Sequence, residues 1–238
     1  MNALGYALVA AGANVLGALA VVRHARRSLR LIEHSVAFGA GYMLAVCLIE
    51  IVPEALRSGG VAAPVLVLAG YLAVHLTQHT VTPHFHFGEE THTVNTVAGN
   101  SALIGLLLHT FFDGVAIASA FLVRRELGML VFVAIFLHKL PEGVTISSLI
   151  LAAGRPARSA VEAAGLLGMA TVCGVLLTDH LSFLVSHGLA LSGGVTLYVA
   201  ASNLVPEFQG KSGWRLPVAF FTGAGTFFAT RLLVGALP

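Results

Sequence analysis

The amino-acid sequence predicts an all-α integral membrane fold with eight transmembrane helices, and three observations carry that prediction. Hydrophobic residues make up 57% of the 238-residue chain and charged residues only 10%, whereas soluble domains run near a quarter charged. Mean hydropathy is +0.88, so water cannot be the chain's main solvent. The apolar residues also gather in blocks of about 20, the length that crosses a hydrocarbon core as a helix. Between the blocks, most connectors are short and marked by Gly, Pro or Arg, as in Ser58-Gly59-Gly60 and Gly154-Arg155-Pro156. Such connectors imply antiparallel neighbours in one bundle.

The blocks fall near 4–22, 35–56, 61–79, 98–123, 127–152, 160–184, 188–208 and 216–236, and the chain 1–238 reads as a single transmembrane domain. The first block lacks a preceding positive region and its Arg cluster follows it, so it reads as a retained helix rather than a cleaved leader. The second closes on Glu50-Ile51-Val52-Pro53-Glu54, and the seventh on Asn203-Leu204-Val205-Pro206-Glu207. The third runs through His75 and His79 into a His-rich loop at 80–97. The fourth and fifth carry imidazoles, acids and a lysine, and the sixth ends near Asp179-His180. The eighth follows the connector Gly210-Lys211-Ser212-Gly213.

A formal charge of +2 without a basic stripe gives no footprint for nucleic acid. Cys47 and Cys173 lie inside apolar blocks, which argues against a disulfide framework. With eight spans, Arg23, Arg26, Arg27, Arg30, Arg155, Arg158, Lys211 and Arg215 share one side, and Arg57, Arg124, Arg125 and Arg231 the other. The positive-inside rule puts the first set in the cytoplasm, both termini outside it, and the His-rich loop within. That loop offers His84, His86 and His92 beside Glu89 and Glu90, with His79 at its start. Irregularly spaced imidazoles and carboxylates suit weak, exchangeable capture of a borderline metal.

Span four reads His109-Thr110-Phe111-Phe112-Asp113-Gly114, and span five His138-Lys139-Leu140-Pro141-Glu142-Gly143. Residues i and i+4 share a helix face, so each span presents an imidazole above a carboxylate. Two such faces meeting give a two-nitrogen, two-carboxylate pocket suited to Zn²⁺, Fe²⁺ or Mn²⁺. An ionisable group at bilayer depth costs about 2.5–3.5 kcal/mol on insertion scales, so Asp113, Lys139 and Glu142 need pairing, hydration or metal. Pro141 leaves the Leu137 carbonyl without its helical donor, which opens a path for metal or water. Gly114 and Gly143 are expected to let spans four and five approach closely.

This pattern resembles the ZIP (Zrt/Irt-like) family of divalent metal transporters, prokaryotic type, whose fourth and fifth helices carry His-x-x-x-Glu-Gly motifs, commonly with Pro before the acid. The Pro-Glu endings of spans two and seven, the outward termini and the His-rich third connector resemble it too. The resemblance implies an inverted 3+2+3 repeat around central helices four and five, with the metal held by His109, Asp113, His138 and Glu142. Phe112-Asp113 departs from Pro-Glu, giving a straighter helix and a shorter acid. Many prokaryotic members bridge a second metal with Asn and Asp beside the two histidines; Thr110 and Lys139 stand there, so one metal is expected. The Lys139 ammonium would occupy the second position electrostatically and keep the carboxylates ionised. By the same resemblance Asp179 is a candidate outer ligand or partner of Lys139, and Glu50, Glu54, Asn203 and Glu207 are candidates for the pathway.

The function so implied is import of Zn²⁺, or Fe²⁺, Mn²⁺ or Cd²⁺, towards the cytoplasm across the inner or plasma membrane by alternating access. No permanently bound cofactor is expected. Partners are the metal ion and the bilayer, with a homodimer left open. Ligation needs neutral imidazoles and ionised carboxylates, so uptake is expected to fall on acidification. Two other classes compete: an intramembrane zinc-dependent hydrolase and a proton or monovalent cation pathway. The first lacks a His-Glu-x-x-His signature or an evident nucleophile, and an enzyme is not expected.

Overall fold

A computed structural model describes residues 2–23, 29–80, 96–209 and 211–236, and all regular structure among them is helical. Among the described residues, eight helices are long and apolar enough to cross a membrane: Ala3–Arg23, Leu31–Ser58, Gly60–Thr80, Leu103–Val123, Arg125–Ala152, Ala157–His180, Ser182–Leu204 and Arg215–Gly235. We number them spans one to eight. The boundary that differs most from the hydropathy reading is between spans six and seven, which turn at Leu181 in extended backbone. Leu181, Phe183, Leu184 and Val185 keep the sequence apolar across this turn, so hydropathy sees no break there.

Spans one, four, five and six pack on one another around the middle of the chain, span two packs on eight, and span three on seven. Exchanging one with six, two with seven, three with eight and four with five converts each of these pairings into another that is observed. Glycines mark the same relation. A Cβ on Gly17 would lie 2.3 Å from the Leu140 carbonyl, and one on Gly143 2.0 Å from that of Asn14, which joins spans one and five. The exchange carries this crossing onto spans six and four, where Gly174 meets the Phe111 carbonyl and Gly114 that of Thr171. Gly41 and Gly223 join spans two and eight in the same reciprocal way, and Gly70 and Gly194 join three and seven. Small residues at crossings bring backbones into contact, which drives association where lipid removes the hydrophobic effect between helices.

Spans two and seven each contain a π-helical segment, Cys47–Ile51 and Val199–Leu204, just ahead of Pro53 and Pro206. The Val52 amide donates to the Cys47 carbonyl and the Val205 amide to that of Ala200, five residues back in both cases. A proline ring clashes with the carbonyl four residues earlier, and the wider turn relieves the clash. Outward faces carry Leu8, Leu16, Leu72, Phe221 and Leu232, all exposed, as lipid contact requires.

Candidate metal centre

The central pair converges near its midpoint. His109, Asp113, His138 and Glu142 are all buried, and one ligand atom from each lies within 4.8 Å of the others. His109 Nε2 is 3.3 Å from Asp113 Oδ2 and 3.4 Å from Glu142 Oε2, while His138 Nε2 is 3.3 Å and 3.8 Å from the same two oxygens. The i, i+4 spacing sets each imidazole over its own acid, and the crossing of spans four and five interleaves the two sets. Lys139 has no exposed surface and bridges the acids, with Nζ 2.7 Å from Asp113 Oδ2 and 2.9 Å from Glu142 Oε2.

His138 Nδ1 lies 3.0 Å from the Ala134 carbonyl, a bond in which the ring must donate, so in the neutral imidazole the lone pair sits on Nε2. That lone pair faces the Asp113 carboxylate, an acceptor. Two acceptors at this separation are reconciled by a cation between them, a proton or a metal ion. Asp113 Oδ1 and His109 Nδ1 are buried without a hydrogen-bond partner among the described residues. Two acids against one ammonium leave the cluster net negative, so a divalent cation is attracted to it and an anion is not. This donor set can hold a borderline divalent metal ion.

A family model for the ZIP zinc transporter matches residues 88–231, more than half the chain and the whole of both site helices. This chain belongs to the ZIP zinc transporter family. Zinc transporter ZIP9-A of Xenopus laevis is 28% identical over 188 residues, covering 73% of this chain and 62% of that protein. Zinc transporter ZIP9-B of the same organism is 29% identical over 160 residues, covering 61% and 52%. Human zinc transporter ZIP6 is 32% identical over 136 residues, covering 52% of this chain and 18% of that protein. The chain thus spans about half to three-fifths of the length of the ZIP9 relatives it matches.

Other residues of the ZIP pattern fall elsewhere. Asp179 is not brought to Lys139: it is exposed at the end of span six, eight residues or about 12 Å along the axis from Thr171, whose carbonyl meets Gly114 beside the site. Thr110 is buried but donates back to the Leu106 carbonyl of its own helix. Glu50 is buried in the span-two π-segment and binds Arg124 at 2.5 Å and Arg231 at 2.6 Å, tying the four-to-five connector to spans two and eight. Glu54 pairs with Arg57 at 2.6 Å, and Asn203 lies half-buried in the span-seven π-segment. His79 ends span three, its ring stacked on His75. His84, His86 and His92 lie outside the described residues, as does the side chain of Glu207. Gly114 and Gly143, expected to bring spans four and five together, instead seat those spans on six and one. Leu137 and Pro141 line an open cleft between spans two, five and eight, together with His34, Phe38 and Thr222.

One residue was not anticipated. Asn14 in span one is completely buried, and its amide Nδ2 lies 3.2 Å from Glu142 Oε1. It is a lone carboxamide in the apolar run 4–22, which is the signal that could have found it.

Proposed function

We propose that this chain carries a divalent transition metal, Zn²⁺ first and Fe²⁺, Mn²⁺ or Cd²⁺ as alternatives, across the bilayer towards the cytoplasm. The observation that carries the reading is the buried convergence of two imidazoles and two carboxylates within 4.8 Å on adjacent spans. Imidazole favours zinc over hard cations, while the carboxylates keep affinity low enough for release. The alternating-access reading is supported by the repeat, in which spans one, four, five and six form one packed unit beside the pairs two with eight and three with seven. The placing of both termini outside the cytoplasm rests on the distribution of Lys and Arg, whereas the inward direction and the cell inner or plasma membrane rest on the family resemblance. Lys139, bridging the two acids, takes the second cation position, so one metal is bound at a time. Loop histidines 84, 86 and 92 collect the ion on the inner side.

The test is Zn²⁺ uptake into liposomes holding the purified protein, with His138→Ala and Glu142→Ala as variants. Each should lower the initial rate at least tenfold at unchanged protein content. Parent-like uptake by both would refute ligation at this cluster, and flux persisting with chelator in place of metal would favour the monovalent pathway.

A further inference from the structure

We infer that Asn14 is a positioning residue of the metal centre, holding one oxygen of Glu142 so that the other stays turned into the cluster. This rests on the reading of the four-residue centre given above and extends it to a third helix. The two Glu142 oxygens have separate partners: Oε1 receives Asn14 Nδ2 at 3.2 Å, whereas Oε2 receives Lys139 at 2.9 Å and faces both imidazoles. The amide orientation is fixed by chemistry, because the opposite flip would set a carbonyl oxygen against a carboxylate oxygen.

The placement is structural and leaves little slack. Gly143 follows Glu142 and lies under the Asn14 carbonyl, while Gly17, one turn on in span one, lies under that of Leu140. Backbone contact at Asn14 itself and again one turn on sets the depth of the carboxamide to that of the acid. Burying a carboxamide among apolar helices is costly unless it is bonded, and packing alone would be served better by an apolar side chain. Its Oδ1 is buried with no hydrogen-bond partner among the described residues, so the bond to Glu142 is what the residue supplies.

The repeat provides an internal comparison. The position related to Asn14 is Thr171, whose carbonyl meets Gly114 as that of Asn14 meets Gly143. Thr171 donates its hydroxyl to the Leu167 carbonyl at 3.4 Å within its own helix, and the related acid, Asp113, keeps an unpartnered Oδ1. Span one therefore orients its acid and span six does not. Groups that orient a ligand in this way typically contribute 10–100-fold to metal affinity.

The experiment is equilibrium Zn²⁺ binding to the full chain purified in detergent, with metal-free thermal unfolding measured alongside. Asn14→Leu keeps the volume and removes the donor. It should bind Zn²⁺ about 10–100-fold more weakly while still unfolding cooperatively, with a small loss of Tm for the donor removed from Glu142. In a Glu142→Asp background, where the acid is a methylene shorter and out of reach of Asn14, Asn14→Leu should change affinity less than about twofold. Parent-like affinity of Asn14→Leu, or an equal loss in both backgrounds, overturns the inference. Should Asn14→Leu not fold, Asn14→Ala is held to the same affinity outcomes. His138→Ala leaves the Asn14 to Glu142 bond in place. If His138→Ala binds as the parent does, the centre itself is misassigned; if it loses binding and Asn14→Leu does not, only the role of Asn14 fails.

Discussion

Gly143→Ala tests how tightly the centre is tied to the helix crossings. The added methyl would lie 2.0 Å from the Asn14 carbonyl oxygen and 2.8 Å from its carbon, where ordinary contact begins at 3.4 Å. Neither atom belongs to a flexible side chain, so relief requires spans one and five to part by about 1.4 Å at the depth of Glu142. Overpacking of this kind costs about 1–3 kcal/mol and at times more. Alanine's better helix propensity returns about 1 kcal/mol, so the net effect is a modest loss of stability. The larger consequence is geometric, because ligand groups need placement to within about 0.5 Å to act together. Metal affinity should therefore fall at least tenfold, more than the stability loss alone would suggest. Gly12→Ala, in span one, meets nothing within 4 Å and should be neutral or slightly stabilising. Thermal unfolding and Zn²⁺ titration of the two variants separate the effects. Parent-like Zn²⁺ affinity of Gly143→Ala would show that the crossing does not set the centre's geometry.

Two further outcomes follow from the charges. Lys139→Asp replaces the ammonium between Asp113 and Glu142 by a third acid and should raise the Zn²⁺ bound per chain from about one to two, read by elemental analysis after dialysis; an unchanged stoichiometry refutes the tethered-cation reading. At Glu50, either Arg124→Ala or Arg231→Ala leaves one guanidinium on the acid, and both arginines are partly exposed, at 40% and 51%. Each single change should cost under about 1 kcal/mol, whereas the double variant strands a buried carboxylate and should cost distinctly more than the sum, as thermal unfolding would show.

The central pair was legible because its signal is local. His109 with Asp113 and His138 with Glu142 are spaced for one helix face, and their cost in an apolar span demands a reason. The eight apolar blocks were legible for a similar reason, since block length is set by the bilayer. Asn14 was not, because its partner lies 128 residues away and a single carboxamide has no periodicity. The bond of Glu50 to Arg124 and Arg231 is hidden in the same way. Asp179 came from an approximate resemblance alone, which does not fix its depth, and the structure leaves it exposed at the end of span six. Gly114 and Gly143 were recognised as crossing points but assigned to the wrong neighbours, which sequence spacing alone cannot choose.

The two π-segments make spans two and seven each hold one residue more than a regular ladder of the same rise. Deleting a single residue within Cys47–Ile51 would restore regular winding and leave the downstream part of the span facing nearly as before, because the extra residue is taken up within the one wide turn. Glu54 and Arg57 would keep their surroundings, and the disturbance would stay local to the carbonyls ahead of Pro53. In a regular stretch the same deletion would turn everything downstream by about 100°, so the wide turns are where such a chain tolerates a change of one residue with least disturbance to its packing.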